Sequence, residues 1–343
     1  MMAHELAATA RALVAEGKGI LAADESTGTI KKRFDSIGAA STEETRRAYR
    51  EMLFTTPGCN AFISGVILYD ETIRQVAADG KTPLPALLSG QGIIPGIKVD
   101  TGAKALAGAP GETVTEGLDG LRERCTEYYA LGGRFAKWRA VIAIGDGIPS
   151  TYCIDANAHA LARFAALSQE AGLVPIVEPE VLMDGDHSMA RCAAVSEAAL
   201  NALYRELHAQ RVLLEGSLLK PNMVLPGAGH ATPAGIEEVA AATVHVLRRC
   251  VPSAVPGIVF LSGGQSDVNA TAHLNAMNAM AAAHPWQLSF SYGRALQAAP
   301  LKSWAGKADN IAAAKDAFYT RARLNGAARY GRYSADMEQG AAA

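Results

Sequence analysis

Charged residues recur at the ends of short apolar segments, where burial is costly unless the charges are paired or bind a ligand. Lys137 and Arg139 are two residues apart in one such segment, and Glu178 and Glu180 repeat this spacing around Pro179. Because successive side chains of a strand point to opposite sides, the two members of each pair face the same side. These residues indicate an active site, although a salt-bridge network that fills the protein interior remains an alternative.

Lys220 has the setting of a nucleophilic amine. It follows the apolar run Leu218–Leu219 and precedes Pro221, which favours an extended backbone at the lysine. A lysine at the end of a buried strand is poorly hydrated, and a nearby cation such as Lys137 further disfavours its charged form. The neutral amine can attack a carbonyl carbon, and the paired glutamates could transfer the protons. We therefore predict that Lys220 reacts with a carbonyl substrate.

Two further groups of residues suit phosphate binding. Ser262 precedes Gly263 and Gly264, whose backbone N–H groups can approach an anion closely. Gly293 precedes Arg294, whose guanidinium can bind a phosphate through two hydrogen bonds. A second cationic group comprises Lys32, Arg33, Lys98 and Arg139. Two separate cationic groups around a reactive lysine predict a substrate with a phosphate at each end. Glycine turns with ordinary surface cations are the alternative.

The elements that must position these residues are short β-branched segments that alternate with helical stretches rich in alanine and leucine. The predicted strands are Gly19–Ala23, Phe62–Tyr69, Ile93–Val99, Phe135–Ile144, Leu173–Val181, Leu214–Val224, Gly257–Leu261 and Gln287–Tyr292. The predicted helices include Gly120–Leu131, His159–Ala171, Ser188–Gln210, Pro233–Cys250 and Thr271–Ala283. This alternation predicts an α/β fold, a (β/α)8 TIM barrel, with catalytic residues at the C-terminal strand ends and a phosphate site after the last two strands. No Gly-x-Gly-x-x-Gly turn follows an early strand, so a dinucleotide-binding fold is disfavoured.

The composition excludes several classes of protein. The 343 residues are 49% hydrophobic and carry a formal net charge of -2, which disfavours nucleic acid or an anionic membrane as a partner. We predict no membrane span, and the segment Met1–Lys18 lacks the apolar core of a signal peptide. The five cysteines have no Cys-x-x-Cys spacing and the eight histidines have no ligand spacing. We therefore expect a reduced, cytoplasmic protein without disulfides, metal or cofactor.

Longer segments resemble the class I fructose-1,6-bisphosphate aldolases. The matching segments are Leu21–Gly28, Gly65–Leu68, Gly96–Asp100, Phe135–Arg139, Val174–Glu180, Leu214–Met223, Phe260–Ser266 and Phe290–Ala295. The resemblance runs from about Gly17 to Lys315. It implies a single domain over residues 1–343, with an N-terminal helix, a barrel core at about 17–315 and a flexible C-terminal region at about 325–343. It also implies a homotetramer.

The resemblance implies an activity, which is the reversible cleavage of fructose 1,6-bisphosphate to dihydroxyacetone phosphate and glyceraldehyde 3-phosphate in glycolysis and gluconeogenesis. Lys220 would form the Schiff base, Lys137 would support its formation, and Glu178 would be the main proton shuttle. Glu180 would tune the lysines, and Asp24 would accept the proton of the hydroxyl on the fourth carbon. The physiological direction and the activity on fructose 1-phosphate or sedoheptulose 1,7-bisphosphate stay open.

The resemblance also assigns the phosphate-binding residues. Those expected at the 1-phosphate are Ser262, Gly263, Gly264, Ser291, Gly293 and Arg294. Those expected around the 6-phosphate are Ser26, Thr29, Lys32, Arg33, Lys98 and Arg139. Thr29 stands where serine is commoner in the family, and it retains the hydroxyl.

One departure from the family concerns the C-terminus, where many members have a tyrosine that assists proton exchange. Here the sequence reads Gly340-Ala341-Ala342-Ala343, and we do not transfer that role to Tyr330 or Tyr333. Two alternatives to this activity and mechanism also remain. One is a metal-dependent aldolase, for which only His187 lies beside carboxylates, and the other is a non-catalytic phosphate-sugar-binding barrel or scaffold.

Overall fold

The computed structural model describes residues 2–281 and 283–341. Within them, eight parallel strands close into a barrel: β1 Gly19–Ala22, β2 Ile63–Leu68, β3 Ile94–Lys98, β6 Phe135–Ile142, β7 Val174–Val181, β8 Leu218–Leu219, β9 Gly257–Phe260 and β10 Gln287–Tyr292. The strands are neighbours in chain order, and β10 pairs with β1 to complete the closure. Two further strands, β4 Gly102–Ala105 and β5 Thr113–Glu116, form an antiparallel hairpin. The predicted (β/α)8 barrel is confirmed.

Helices follow the barrel strands or extend the barrel at its ends. They are α1 Met2–Leu13, α2 Thr27–Asp35, α3 Glu43–Phe54, α4 Asp70–Ile73, α5 Leu84–Ser89, α6 Leu121–Ala130, α7 Thr151–Glu170, α8 Met189–Ala209, α9 Ile236–Cys250, α10 Asp267–Ala279, α11 Arg294–Trp304 and α12 Ile311–Arg329. Three of the five predicted helical stretches contain one of these helices, and His159–Ala171 and Thr271–Ala283 overlap α7 and α10 but begin later than these helices do. The stretch Thr271–Ala283 starts too late, because Ser266 caps the helix by accepting from the Asn269 N–H, and its Ala282 lies outside the described residues.

The barrel interior is apolar at its N-terminal end, where α1 closes it. Leu6, Ala10 and Leu13 of α1 belong to the same buried cluster as Phe135 and other inward side chains of the strands. A Cβ on Gly96 would overlap the Phe135 ring, so glycine makes room for that aromatic side chain. Each fully buried leucine or phenylalanine stabilises the fold by about 1.5–3 kcal/mol. This apolar plug leaves only the opposite end of the barrel for charged groups.

One predicted strand was too long at both ends, and one hairpin was missed. The predicted strand Leu214–Val224 is strand only at Leu218–Leu219, and Leu214–Gly216 is a 3-10 turn. Pro221 has no N–H to continue the ladder, and the Asn222 side chain instead accepts from the Val181 N–H at 3.0 Å. The β4–β5 hairpin was missed, because four-residue strands leave almost no periodic signal.

The C-terminal region follows the barrel as helix and turn. Helix α12 continues to Arg329, and 3-10 turns extend over Ala335–Ala341, so the region predicted to be flexible from about residue 325 begins inside a helix. Ala342 and Ala343 lie outside the described residues. Flexibility of this region stays a prediction.

Candidate active site

The C-terminal ends of the barrel strands surround a cleft of about 650 Å³. All of the predicted site residues except Gly264 line it: Asp24, Ser26, Thr29, Lys32, Arg33, Lys98, Lys137, Arg139, Glu178, Glu180, Lys220, Ser262, Gly263, Ser291, Gly293 and Arg294. Gly264 lies just behind, where a Cβ would be 3.5 Å from the Arg294 Nη2. The residues come from strands that are distant in sequence, so it is barrel closure that brings them together.

A compact group of four charges lies at the floor of the cleft. Lys137 Nζ is 2.7 Å from Asp24 Oδ2 and 3.2 Å from Glu178 Oε2, and Lys220 Nζ is 3.1 Å from Glu178 Oε1. Lys137, Glu178 and Lys220 are 3–4% exposed, while the Asp24 side chain is 13% exposed. Two ammonium groups and two carboxylates therefore balance in a nearly dry setting.

Strand register explains how these groups meet. Lys98 on β3 lies level with Lys137 on β6, and Arg139 lies level with Glu178 on β7. Lys137 and Arg139 are alternate residues of one strand and both reach the cleft. Lys137 lies level with Ile176, so its side chain must reach two residues further along β7 to contact Glu178. Its long flexible stem makes that diagonal contact possible.

The cluster shifts the acidities of its members in opposite directions. Burial raises the pKa of Asp24, but the charges of Lys137 and Lys220 outweigh burial and hold that pKa below its ordinary value. Burial likewise opposes ionisation of Glu178, yet Lys137, Lys220 and Arg139 lower its pKa. For Lys137, burial favours the neutral amine, but Asp24, Glu178 and Asp100 raise the pKa. At neutral pH both carboxylates are ionised and Lys137 is cationic.

Asp100 contacts two cationic residues at the rim of the cleft, beside this cluster. Its Oδ1 lies 2.8 Å from Lys98 Nζ, and its Oδ2 accepts from the Arg139 N–H at 3.2 Å. Arg139 also forms an ion pair with Glu180. The hairpin packs alongside, since the Thr115 hydroxyl donates to the Arg139 carbonyl at 2.7 Å. The cations Lys98 and Arg139 are therefore held in place before any anion binds.

The loops after β9 and β10 form an anion cradle. Gly263 and Gly264 have φ of 55° and 89°, the left-handed region that glycine adopts without strain. Gly293 is the N-cap of α11, so the free N–H groups of the first helical turn face the cleft beside it. The Ser291 hydroxyl is buried without a partner among the described residues. Together these groups offer hydrogen-bond donors to a phosphate.

Helix α2, which follows β1, starts a second cradle in the cleft. Ser26 caps it, accepting from the Thr29 N–H at 3.3 Å, and the Ser26 and Thr29 hydroxyls are 3.1 Å apart. Lys32 is exposed at the rim. Arg33 lies near both cradles: it lines the cleft with these residues, and its Nη2 is 3.8 Å from where a Cβ on Gly293 would be. The assignment of Arg33 to the 6-phosphate stays a prediction.

Sequence reasoning missed several cleft residues. Glu25, Ser36, Asp100, Gly102, Ala103, Val141 and Leu261 also line the cleft. Glu25 and Asp100 carried a signal, because each lies beside a predicted site residue at a strand end. The hairpin residues carried none, since the hairpin itself was not predicted.

Neither candidate tyrosine lies in the cleft. Tyr330 lines a separate cavity with Arg11, Glu215 and Pro256. The Tyr333 hydroxyl donates to Glu338 at 2.8 Å. His187 is a loop residue, and no group of three or more candidate metal ligands occurs among residues 2–281 and 283–341. In that same part of the chain, every helix is too short or too polar to cross a membrane.

Comparisons with known proteins agree with this geometry. A model of the family described as fructose-bisphosphate aldolase class-I matches residues 5–343. A probable fructose-bisphosphate aldolase class 1 from Xylella fastidiosa is 59% identical, covering 97% of this chain and 99% of its own. The cytosolic fructose-bisphosphate aldolase 6 of Arabidopsis thaliana is 55% identical over 98% of this chain and 94% of its own.

Among solved structures, the chain is similar to fructose-bisphosphate aldolase from Plasmodium falciparum in a ternary co-crystal with TRAP and a small-molecule inhibitor. The TM-score is 0.95 and the sequence identity 51%, over 97% of this chain and 96% of that one. The likeness therefore extends over the whole barrel.

Proposed function

Since the chain belongs to the class I fructose-bisphosphate aldolase family, we propose that it cleaves fructose 1,6-bisphosphate reversibly through a Schiff base on Lys220. The products are dihydroxyacetone phosphate and glyceraldehyde 3-phosphate. The observation that carries this proposal is the position of Lys220 Nζ, 3.1 Å from Glu178 and within the charged cluster at the cleft floor. A binding protein without catalysis would not need a buried amine paired with a carboxylate that also contacts a second buried lysine.

Schiff-base formation requires a neutral amine and later the loss of water. Glu178 accepts a proton from the Lys220 ammonium, and the free amine attacks the ketone carbon of the open-chain sugar. The resulting alkoxide takes a proton from Lys137, and the attacking nitrogen, which now carries a positive charge, returns a proton to the Lys137 amine. The product is the neutral carbinolamine, with Lys137 again cationic. Glu178 then returns its proton to the departing hydroxyl, which leaves as water while the iminium forms.

Carbon–carbon cleavage follows from the charge of the iminium. Asp24 is ionised and accepts the proton of the hydroxyl on the fourth carbon, while the bond to the third carbon breaks. The electron pair of that bond moves into the iminium and gives a neutral enamine. Protonation of the enamine at the third carbon and hydrolysis then release dihydroxyacetone phosphate. Glu180 keeps Arg139 in place beside this chemistry.

The two cradles hold the phosphates of the substrate. The loops with Ser262, Gly263 and Gly264, together with Ser291, Gly293 and Arg294, bind the 1-phosphate, and Arg33 lies near them. Ser26, Thr29, Lys32, Lys98 and Arg139 bind the 6-phosphate. Fixing both ends of the sugar aligns its carbonyl with Lys220 and converts binding energy into orientation.

Borohydride reduction tests the proposal directly. Incubation with dihydroxyacetone phosphate and borohydride should leave a reduced adduct on the peptide that contains Lys220, located by mass mapping. Lys220→Met should abolish both the adduct and the cleavage of fructose 1,6-bisphosphate. Lys315→Met is the matched control, because Lys315 donates to the Thr55 carbonyl at 3.1 Å and does not line the cleft. Binding of the phosphosugar without an adduct would favour the non-catalytic alternative.

The resemblance and the relatives support three further parts of the proposal. We infer that the protein is cytoplasmic, because the Arabidopsis relative is a cytosolic aldolase. It assembles as a homotetramer, which sedimentation equilibrium would test. Its partner is the phosphosugar itself rather than nucleic acid or a membrane, and it works in glycolysis and gluconeogenesis.

A further inference from the structure

Glu25 stands between two proposed site residues in the chain, yet its carboxylate is turned towards a buried network. Oε1 of Glu25 accepts from the Arg33 guanidinium and, at 2.7 Å, from Gln297 Nε2. The same Gln297 nitrogen donates to the Ala22 carbonyl at the end of β1, also at 2.7 Å. Gln297 is 1% exposed, so its two hydrogen bonds form in a buried setting.

The contacts form a chain from α11 to Arg33. Gln297 lies on α11, three residues after Arg294, and its N–H donates to the Gly293 carbonyl at 3.0 Å. From Gln297 the chain of hydrogen bonds runs through Glu25 to Arg33, whose Nη2 lies near Gly293, 3.8 Å from where a Cβ on that glycine would be. One glutamine therefore connects the start of α11 to the residue that presents Arg33.

We propose that Glu25 and Gln297 are positioning residues that hold Arg33 against the phosphate cradle after β10. Glu25 uses the Arg33 Nη1, so Nη2 stays directed at the cradle. An arginine on a nine-residue helix otherwise loses rotamer entropy of order 1–2 kcal/mol when a phosphate immobilises it. The buried carboxylate fixes the guanidinium in advance, and Gln297 fixes the carboxylate.

Gln297→Leu gives the cleanest test, because it removes both hydrogen bonds and leaves every charge in place. The probe is hexitol 1,6-bisphosphate, which has no carbonyl and therefore reports phosphate binding without Schiff-base chemistry. Calorimetry should give a dissociation constant about tenfold larger for Gln297→Leu than for the unaltered protein, which corresponds to a loss of about 1.4 kcal/mol of binding free energy. The kcat for fructose 1,6-bisphosphate should fall much less than its KM rises.

Gln169→Leu is the matched control. Gln169 also bridges backbone groups, donating to the carbonyls of Leu213 and Gly216 at 2.8 and 3.1 Å, and it does not line the cleft. Its variant should bind the bisphosphate within about twofold of the unaltered protein, the limit of additivity for distant sites. Equal weakening in both variants would mean a general structural effect and would overturn the proposal.

Coupling to Arg33 separates positioning from any other role. In an Arg33→Ala background, Gln297→Leu should weaken binding by less than about twofold more, because the group it positions is already gone. Losses that multiply would contradict the proposal. If Gln297→Leu does not fold, the isosteric Glu25→Gln takes its place with the same expected loss. Tighter binding in that variant would show that the carboxylate competes with the phosphate, and the proposal would fail.

The inference rests on the proposed function, and the two fail differently. If the unaltered protein binds hexitol bisphosphate but gives no borohydride adduct on Lys220, the aldolase mechanism fails and the positioning role stands or falls on the binding data. If the adduct forms but Gln297→Leu binds normally, only the positioning role fails.

Discussion

Replacing Lys137 by methionine leaves two buried carboxylates with one ammonium. Asp24 loses a partner at 2.7 Å and Glu178 loses one at 3.2 Å, and Lys220 alone remains in the cluster. Breaking a buried ion pair by removing one partner costs about 3–5 kcal/mol. We expect a loss of that size in the free energy of unfolding, and a fall of about 10²–10⁴-fold in kcat from the missing proton donor.

The pH dependence of this loss tests its cause. In the unaltered protein the pKa of Asp24 lies below its ordinary 3.8, so its stabilising contribution is present above that pH and is lost as the pH falls through the lowered pKa. In Lys137→Met burial is no longer outweighed, and the pKa of Asp24 should rise above the ordinary value. The stability difference between the two proteins should therefore be largest near neutrality and shrink towards about pH 4.

Urea unfolding at a series of pH values measures this difference, and a coupled assay measures kcat. Lys315→Met should cost only about 1 kcal/mol, the worth of one hydrogen bond. Adding Asp24→Asn to Lys137→Met restores the charge balance, so stability should recover by about half or more, while kcat should stay at or below that of Lys137→Met. A pH-independent loss, or no recovery in the double variant, would refute the charge-balance account.

Three other results are expected. Lys98→Met should raise the KM for fructose 1,6-bisphosphate about tenfold and leave that for fructose 1-phosphate unchanged, as loss of one phosphate contact requires; equal effects on both substrates would place Lys98 at the wrong end. Burial lowers the pKa of His273 to about 4, so protons bind the unfolded chain preferentially below the ordinary 6.5, and His273→Gln should remove about 2 kcal/mol of the acid destabilisation seen between those values by urea titration. Activity should be unchanged in EDTA, and a loss restored by zinc would revive the metal-dependent alternative.

The strands were predictable because a barrel strand is buried on both faces and so reads as an apolar run. Prediction failed where backbone chemistry interrupted that run. Pro221 ends the β8 ladder although the apolar sequence continues, and the Asn222 side chain supplies the next contact to β7. The hairpin was missed for a different reason, since its alternation spans only four residues on each side.

Most of the site was predictable because a parallel barrel collects all strand ends at one mouth. The partners within it were not. Whether Lys137 pairs with Glu178 or Glu180 depends on the stagger between β6 and β7, which sequence spacing does not contain. Gln297 looks like any helical glutamine until the fold places it beside Ala22, 275 residues away in the chain.

The pairing inside the cluster also explains how Lys220 can lose its proton in a buried site. Glu178 directs one oxygen to each lysine, and Lys137 has a shorter contact with Asp24. If Lys220 transfers a proton to Glu178, one ion pair becomes an amine and a carboxylic acid, while the Lys137–Asp24 pair persists. The net charge of the cluster does not change, so no uncompensated charge remains in a medium of low dielectric constant. Part of what lowers the pKa of Glu178 is the charge of Lys220 itself, and that contribution disappears as the proton moves. Asp24 therefore has two functions: it accepts the substrate proton later, and before that it keeps Lys137 neutralised while Lys220 becomes nucleophilic.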